Sequence, residues 1–153
     1  MRDGMLQVSG ELDLTMHGPS QKLEIKPYSK RRAVYGYIDR QNISPTLNSF
    51  DFANPNIHAP QRVETTVPQQ ALFAFNHPFV IERSATLAKK ASESTTANPS
   101  SQVEFLYRQI LSRDPRKEEI KLGAEFLGSD TKLSNLEDLA QTLLVSNEFF
   151  FTD

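Results

Sequence analysis

Cysteine is absent from the 153 residues, and that absence closes several chemistries at once. Disulfides, thiolate zinc sites, cysteine nucleophiles and covalent c-type haem attachment within this chain are excluded. The compartment stays open, because a lack of cysteine does not fix it. Long apolar runs are missing too. None approaches the ~20 residues of a membrane helix, so no membrane insertion is expected. The opening MRDGMLQVSGELDL has neither a basic n-region nor an apolar h-region, so it does not read as a signal peptide. Taken literally, such a chain stays in the cytoplasm. Basic charge is not in excess either. With 17 Lys and Arg against 19 Asp and Glu, the net charge is −2. Nucleic-acid binding needs a basic surface to displace counterions, so no nucleic-acid partner is expected. Lys30, Arg31 and Arg32 form a local basic cluster, which reads as a solvated segment end.

What is present fits one domain, or one and a half small ones, with enough apolar residues for a real core. The C-terminal third is the most regular part. Ser101 and Glu104 are spaced as a capping box, and Val103, Leu106, Tyr107, Ile110 and Leu111 then recur as one apolar stripe. Asp114-Pro115 reads as an N-cap with proline at the first helical position, opening a second helix that Gly128 ends. Ser134 and Glu137 read as a further capping box, before a third helix with Leu136, Leu139, Ala140, Leu143 and Leu144 inward. Short connections predict that the three pack together.

In the middle, Thr66 to Gln69 fits a capping box ahead of Ala71, Leu72, Phe73 and Phe75. Asn76-His77-Pro78 breaks the chain, because a residue before proline is pushed out of the α region. Pro78 restarts a helix, and residues 91 to 101 read as a polar linker. The first sixty residues are less regular. Met1 to Val8 reads as a helix end, and AVYGYI at 33 to 38 alternates like a short strand, although a helical turn also fits. Residues 41 to 62 are expected to form a long ordered loop with one helical turn after Ser44-Pro45. The expectation is a mainly α fold: a helical domain with a C-terminal three-helix unit, a long proline-rich loop and one short strand or hairpin. Residues 1 to 92 would form the loop-rich part and 100 to 153 the three-helix subdomain.

A series of short motifs carries a resemblance. Arg31-Arg32-Ala33-Val34-Tyr35, Phe50-Asp51, Asn54-Pro55-Asn56, Arg62, Thr65 to Leu72 and Asn76 to Val80 occur in that order. With Ile110 to Pro115 and Asn147-Glu148-Phe149 downstream, they resemble the planctomycete family called domain of unknown function 1553. The resemblance spans nearly the whole chain. It implies the C-terminal part of a large exported protein with a cytochrome-c-like domain upstream, so any haem would sit outside this chain. It implies no established activity. It also implies an N-terminally truncated member, with Ala59 where relatives often carry cysteine and Gly36 where they carry a bulky residue. On that reading the missing leader would be a missing piece and the protein exported or periplasmic, with apolar surface left open where an upstream domain or partner chain would pack.

Catalytic and metal patterns are weak. His58, His77, Asp39 and Asp51 are not spaced to converge, and no pair of histidines stands four apart on a helix. Ser9, beside Gly10, has no strand–turn–helix context for a nucleophile. Nothing in the pattern supports haem ligation by His17, His58 or His77. No catalytic or metal residue is therefore assigned, and an enzyme is not favoured. The polar set Arg40, Asp51, Asn56, Arg62, Thr66 and Gln70, interleaved with Phe50 and Phe52, has two readings. It could line a groove for a peptide or an extracellular polysaccharide. It could equally clamp the buried polar backbone of a long loop. The functional expectation is a non-catalytic structural or interaction module, with carbohydrate binding or polysaccharide processing as the alternative.

Overall fold

The computed structural model describes residues 1–58, 68–95, 98–128 and 131–150. Eight α-helices run in order among these residues: α1 (Arg2–Val8), α2 (Pro45–Ser49), α3 (Pro68–Asn76), α4 (Pro78–Ser94), α5 (Pro99–Leu111), α6 (Lys117–Leu127), α7 (Leu133–Leu144) and α8 (Asn147–Phe150). The fold is mainly α. The longest helix, α4, packs along α7, and α5 fills the space between α4, α6 and α7. The core at their centre includes Val80, Leu87, Leu106, Leu136 and Leu144, all fully enclosed. Each such leucine contributes about 1.5–3 kcal/mol through loss of apolar surface to water. Met5 and Leu6 of α1 join this core from the other end of the chain. The expected apolar stripes of α5 and α7 therefore face inward as the helical period requires.

Several helix starts differ from expectation, for local reasons. α5 begins at Pro99, because Asn98 accepts from the Ser100 N–H at 3.0 Å and Pro99 takes the first helical position. An Asn-Pro cap thus precedes the Ser101–Glu104 pair, and the linker is shorter than 91 to 101. α6 begins at Lys117 rather than after Asp114. Asp114 instead pairs with Arg108 at 2.5 Å, and the Glu119 carboxylate accepts from the Arg116 N–H at 2.6 Å. α7 begins at Leu133, which puts Ser134 inside the first turn without a capping bond. The Thr66–Gln69 capping box falls partly on residues outside those described.

No strand forms at 33 to 38. Ala33–Tyr35 is a 3₁₀ turn, with the Gly36 N–H donating to the Ala33 carbonyl at 2.9 Å. Two isolated parallel bridges, Asp13 with Arg31 and Gln21 with Gly36, are the extended pairing seen among the described residues. A Cβ at Gly36 would lie 2.5 Å from Leu23 Cδ1 and 3.0 Å from the Ala33 carbonyl oxygen, so a larger residue there would make the Leu23 side chain shift. Three expectations hold closely. Ser44 caps α2 by accepting from the Leu47 N–H at 3.2 Å. His77 breaks the chain between α3 and α4 and caps the latter. Gly128 ends α6.

The chain's end is held by Arg113, in the α5–α6 connection. It makes paired contacts to Glu119 at 2.8 Å and reaches Glu148 of α8 at 2.5 and 2.9 Å. This guanidinium, and then the Arg116 N–H, holds the Glu119 carboxyl well below its usual range, at about 2. Phe149 and Phe150 of α8 lie half-buried against the core.

α6 meets α5 closely at Gly123. A Cβ there would stand 2.7 Å from Val103 Cγ2, and β-branched Val103 has little rotamer freedom to retreat. Gly123→Ala is therefore expected to lose about 1 kcal/mol net, the clash outweighing the better helix propensity. Urea unfolding of Gly123→Ala, with and without Val103→Ala, checks this. Strict additivity of the two changes would contradict it.

Candidate functional site

Between α1 and α2 the chain runs as a loop layer over α1 and the start of α4, and its attachment gathers most of the half-buried charge. Such a segment makes few backbone bonds of its own, so side chains must supply donors. Arg31 is only 8% exposed. Its guanidinium donates to the carbonyls of Thr15 at 3.0 Å, Pro19 at 3.3 Å and His17, and lies 4.0 Å from the Tyr35 ring centroid. Arg2 of α1 donates to the Arg31 carbonyl at 2.8 Å and to the Ser29 carbonyl. Asp3 accepts the Ala33 N–H with both carboxylate oxygens, each at 2.9 Å.

Arg83 completes the arrangement from α4. It is 6% exposed, with Nε 3.0 Å from Glu11 and Nη2 3.4 Å from Glu82. Lys30 approaches Glu11 from the other side at 3.0 Å, and Lys26 reaches Glu82 at 2.8 Å. The guanidinium groups of Arg2 and Arg83 both lie by the Phe79 ring, at 5.6 and 5.2 Å. Tyr28 meets that ring edge-on at 5.5 Å. Burial acts to raise the Glu11 pKa, but Lys30 and Arg83 outweigh it and hold the carboxyl below its usual range. Burial lowers the Arg2 pKa, with Asp3 opposing.

This cluster was not singled out by sequence reasoning. Arg31 stands next to Lys30 and Arg32 and reads as solvated, whereas it is buried and its two neighbours are exposed. The available signal was the long loop itself, which has many carbonyls and no repeating pattern to satisfy them.

Of the six expected ligand residues, Arg40, Asp51, Asn56 and Gln70 are among the described residues. Arg40 is exposed, and its carbonyl accepts from Asn56 Nδ2 at 3.1 Å. Asn56 also takes part in an Asn54 turn, its N–H donating to Asn54 Oδ1 at 2.9 Å. Gln70 donates from Nε2 to the Ser49 carbonyl at 2.9 Å, tying α3 to α2. Asp51 is half-buried at φ +53°, directly after α2. Arg62 and Thr66 lie outside the described residues. Arg40 and Asn56 are thus brought together, as are Gln70 and the end of α2, through side chain to backbone bonds. Among the described residues, no three His, Cys, Asp or Glu side chains are grouped to hold a metal ion.

A separate open groove of about 500 Å³ runs between the end of α4 and α5. Its walls include Ser94, Ser101, Glu104, Phe105, Arg108 and Gln109. Arg40, Asp51, Asn56 and Gln70 are not among its described lining residues.

The attachment of the loop layer has a measurable consequence. Arg83→Met leaves half-buried Glu11 with Lys30 and the Thr86 hydroxyl. The expected loss is about 2 kcal/mol, below the roughly 3–5 kcal/mol for breaking a fully buried pair. Glu11→Gln in the same background should recover part of it. Urea unfolding of the two single variants and the double variant checks the coupling; no coupling would show that Arg83 acts through packing alone.

Among the described residues, no helix is long and apolar enough to cross a membrane. No curated protein and no solved structure matches the chain. A family model does match, over residues 1–127, which is most of the chain and includes the loop layer with its arginines as well as α1 to α6. The chain belongs to the family described as protein of unknown function, DUF1553.

Proposed function

We propose that the chain is a non-catalytic structural or interaction module of a larger exported protein, packing against a neighbouring domain or partner chain. The observation that carries this reading is on α6. Leu122 and Phe126, one turn apart on the same face, are 67% and 53% exposed, while Gly123 and Leu127 face the core. Scattered apolar residues are normal on any surface, but a pair on successive turns makes a ridge that another surface can cover. α3 repeats the pattern with Leu72 and Phe75, 61% and 57% exposed. The inward engagement of Arg2, Arg31 and Arg83 supports a structural rather than a chemical role for the charged cluster.

A photo-crosslinking residue at position 126, in the protein produced in its native cells, tests this. A discrete cross-linked species that Leu122→Glu abolishes is the expected result. Cross-linking no greater than at exposed Lys117 would remove the reading.

A second reading, binding of an extracellular polysaccharide, draws on the groove between α4 and α5. There hydroxyls, a carboxylate and an amide stand beside the Phe105 ring, the kind of mixed surface that sugars use. Calorimetry of the whole chain against a broad panel of soluble polysaccharides decides it. Heat that Glu104→Ala abolishes would establish this reading, and no heat across the panel would end it.

A further inference from the structure

We propose that His77 makes the α3–α4 corner an acid-sensitive joint, closed while the imidazole is neutral and loosened when it takes up a proton. The inference goes beyond the proposed function and does not depend on it. His77 is the N-cap of α4, and its Nδ1 accepts from the Phe79 N–H at 3.2 Å. The neutral ring must then carry its proton on Nε2. Protonation turns Nδ1 from an acceptor into a donor facing another donor. It also places a positive charge at the positive end of the α4 dipole.

The same ring holds α3. It stacks on Phe73 with centroids 4.2 Å apart, and Phe73 in turn meets Phe50, next to α2, edge-on at 5.2 Å. Among the described residues, α3 has few other attachments. Ala74 is its one fully buried side chain. Gln141 of α7 donates to the Phe75 carbonyl at 2.7 Å, and Gln70 reaches α2. A change at His77 therefore acts on a helix that has few other attachments among the described residues.

Among the described residues, the charged and titratable groups around the ring come from the loop layer and α4. Glu24 favours the charged imidazole and Lys26 opposes it. Tyr28 lies 5.9 Å away, ring to ring. On α4, Glu82 is paired with Lys26 and Arg83 with Glu11. The described α2 and α3 segments, PTLNS and PQQALFAFN, carry no titratable side chain. Burial, ahead of these charges, sets the His77 pKa below its ordinary value. A depressed histidine contributes stability that is fully present above the unfolded value of about 6.5 and is lost as pH falls through the folded one.

Backbone hydrogen exchange of the whole chain at about pH 7.5 and pH 5, corrected for intrinsic rates, tests the joint. Wild-type α3 amides should lose protection severalfold on acidification, while the α5 and α7 cores do not. His77→Asn keeps a capping acceptor that does not titrate, so its α3 should respond far less. His77→Ala should be poorly protected at both values. Unchanged wild-type α3 protection, or an equal fall in His77→Asn, would overturn the proposal. So would a directly measured His77 pKa at or above the ordinary value, read by NMR on the wild-type protein.

Discussion

Backbone N–H and C=O groups that belong to neither helix nor ladder must still find partners when they are buried. In this chain the stretch between α1 and α2 is in that position; two guanidinium groups, Arg2 and Arg31, bond its carbonyls, and a third, Arg83, ties it to α4. Arg31 gathers the carbonyls of Thr15, His17 and Pro19 into one turn of chain. Arg2 fastens the returning segment to α1, and Arg83 joins it to α4 through Glu11. Arginine suits this work because its planar fork presents several donors at fixed angles, and because it remains charged when partly desolvated.

The bundle beneath is organised around α4, which has two occupied faces. One face carries Val80, Leu87, Ala88 and Ala91 into the shared core with α7. The other offers Arg83 and the Phe79 ring to the loop layer. The close approach of α5 and α6 at Gly123 and the anchoring of α8 by Arg113 complete the packing of the other helices. The functional consequence is a division of surfaces. Arg2, Arg31 and Arg83 are engaged within the fold, whereas α3 and α6 carry exposed apolar pairs.

Membership of an uncharacterised family locates the chain among relatives without assigning chemistry to it. The site geometry adds what the family description lacks. It gives a physical role to Arg2, Arg31 and Arg83.

Patterns that depend on neighbours in sequence were legible from the residues alone. The 3.6-residue period of α5 and α7, the Ser44-Pro45 start of α2 and the break at His77-Pro78 follow from local sterics and capping, which a short window contains. Competing local signals were harder to rank. Asn98-Pro99 took the α5 start from Ser101, and Asp114 turned to Arg108 instead of capping α6. What only the tertiary structure decided is which side chains meet across long separations: Arg2 with Ser29 and Arg31, Arg83 with Glu11, Gln109 with the Val8 carbonyl. Sequence states that Arg31 is charged, but its burial depends on where the loop carbonyls come to rest. That position is set by packing on α1 and α4, and no local propensity encodes it.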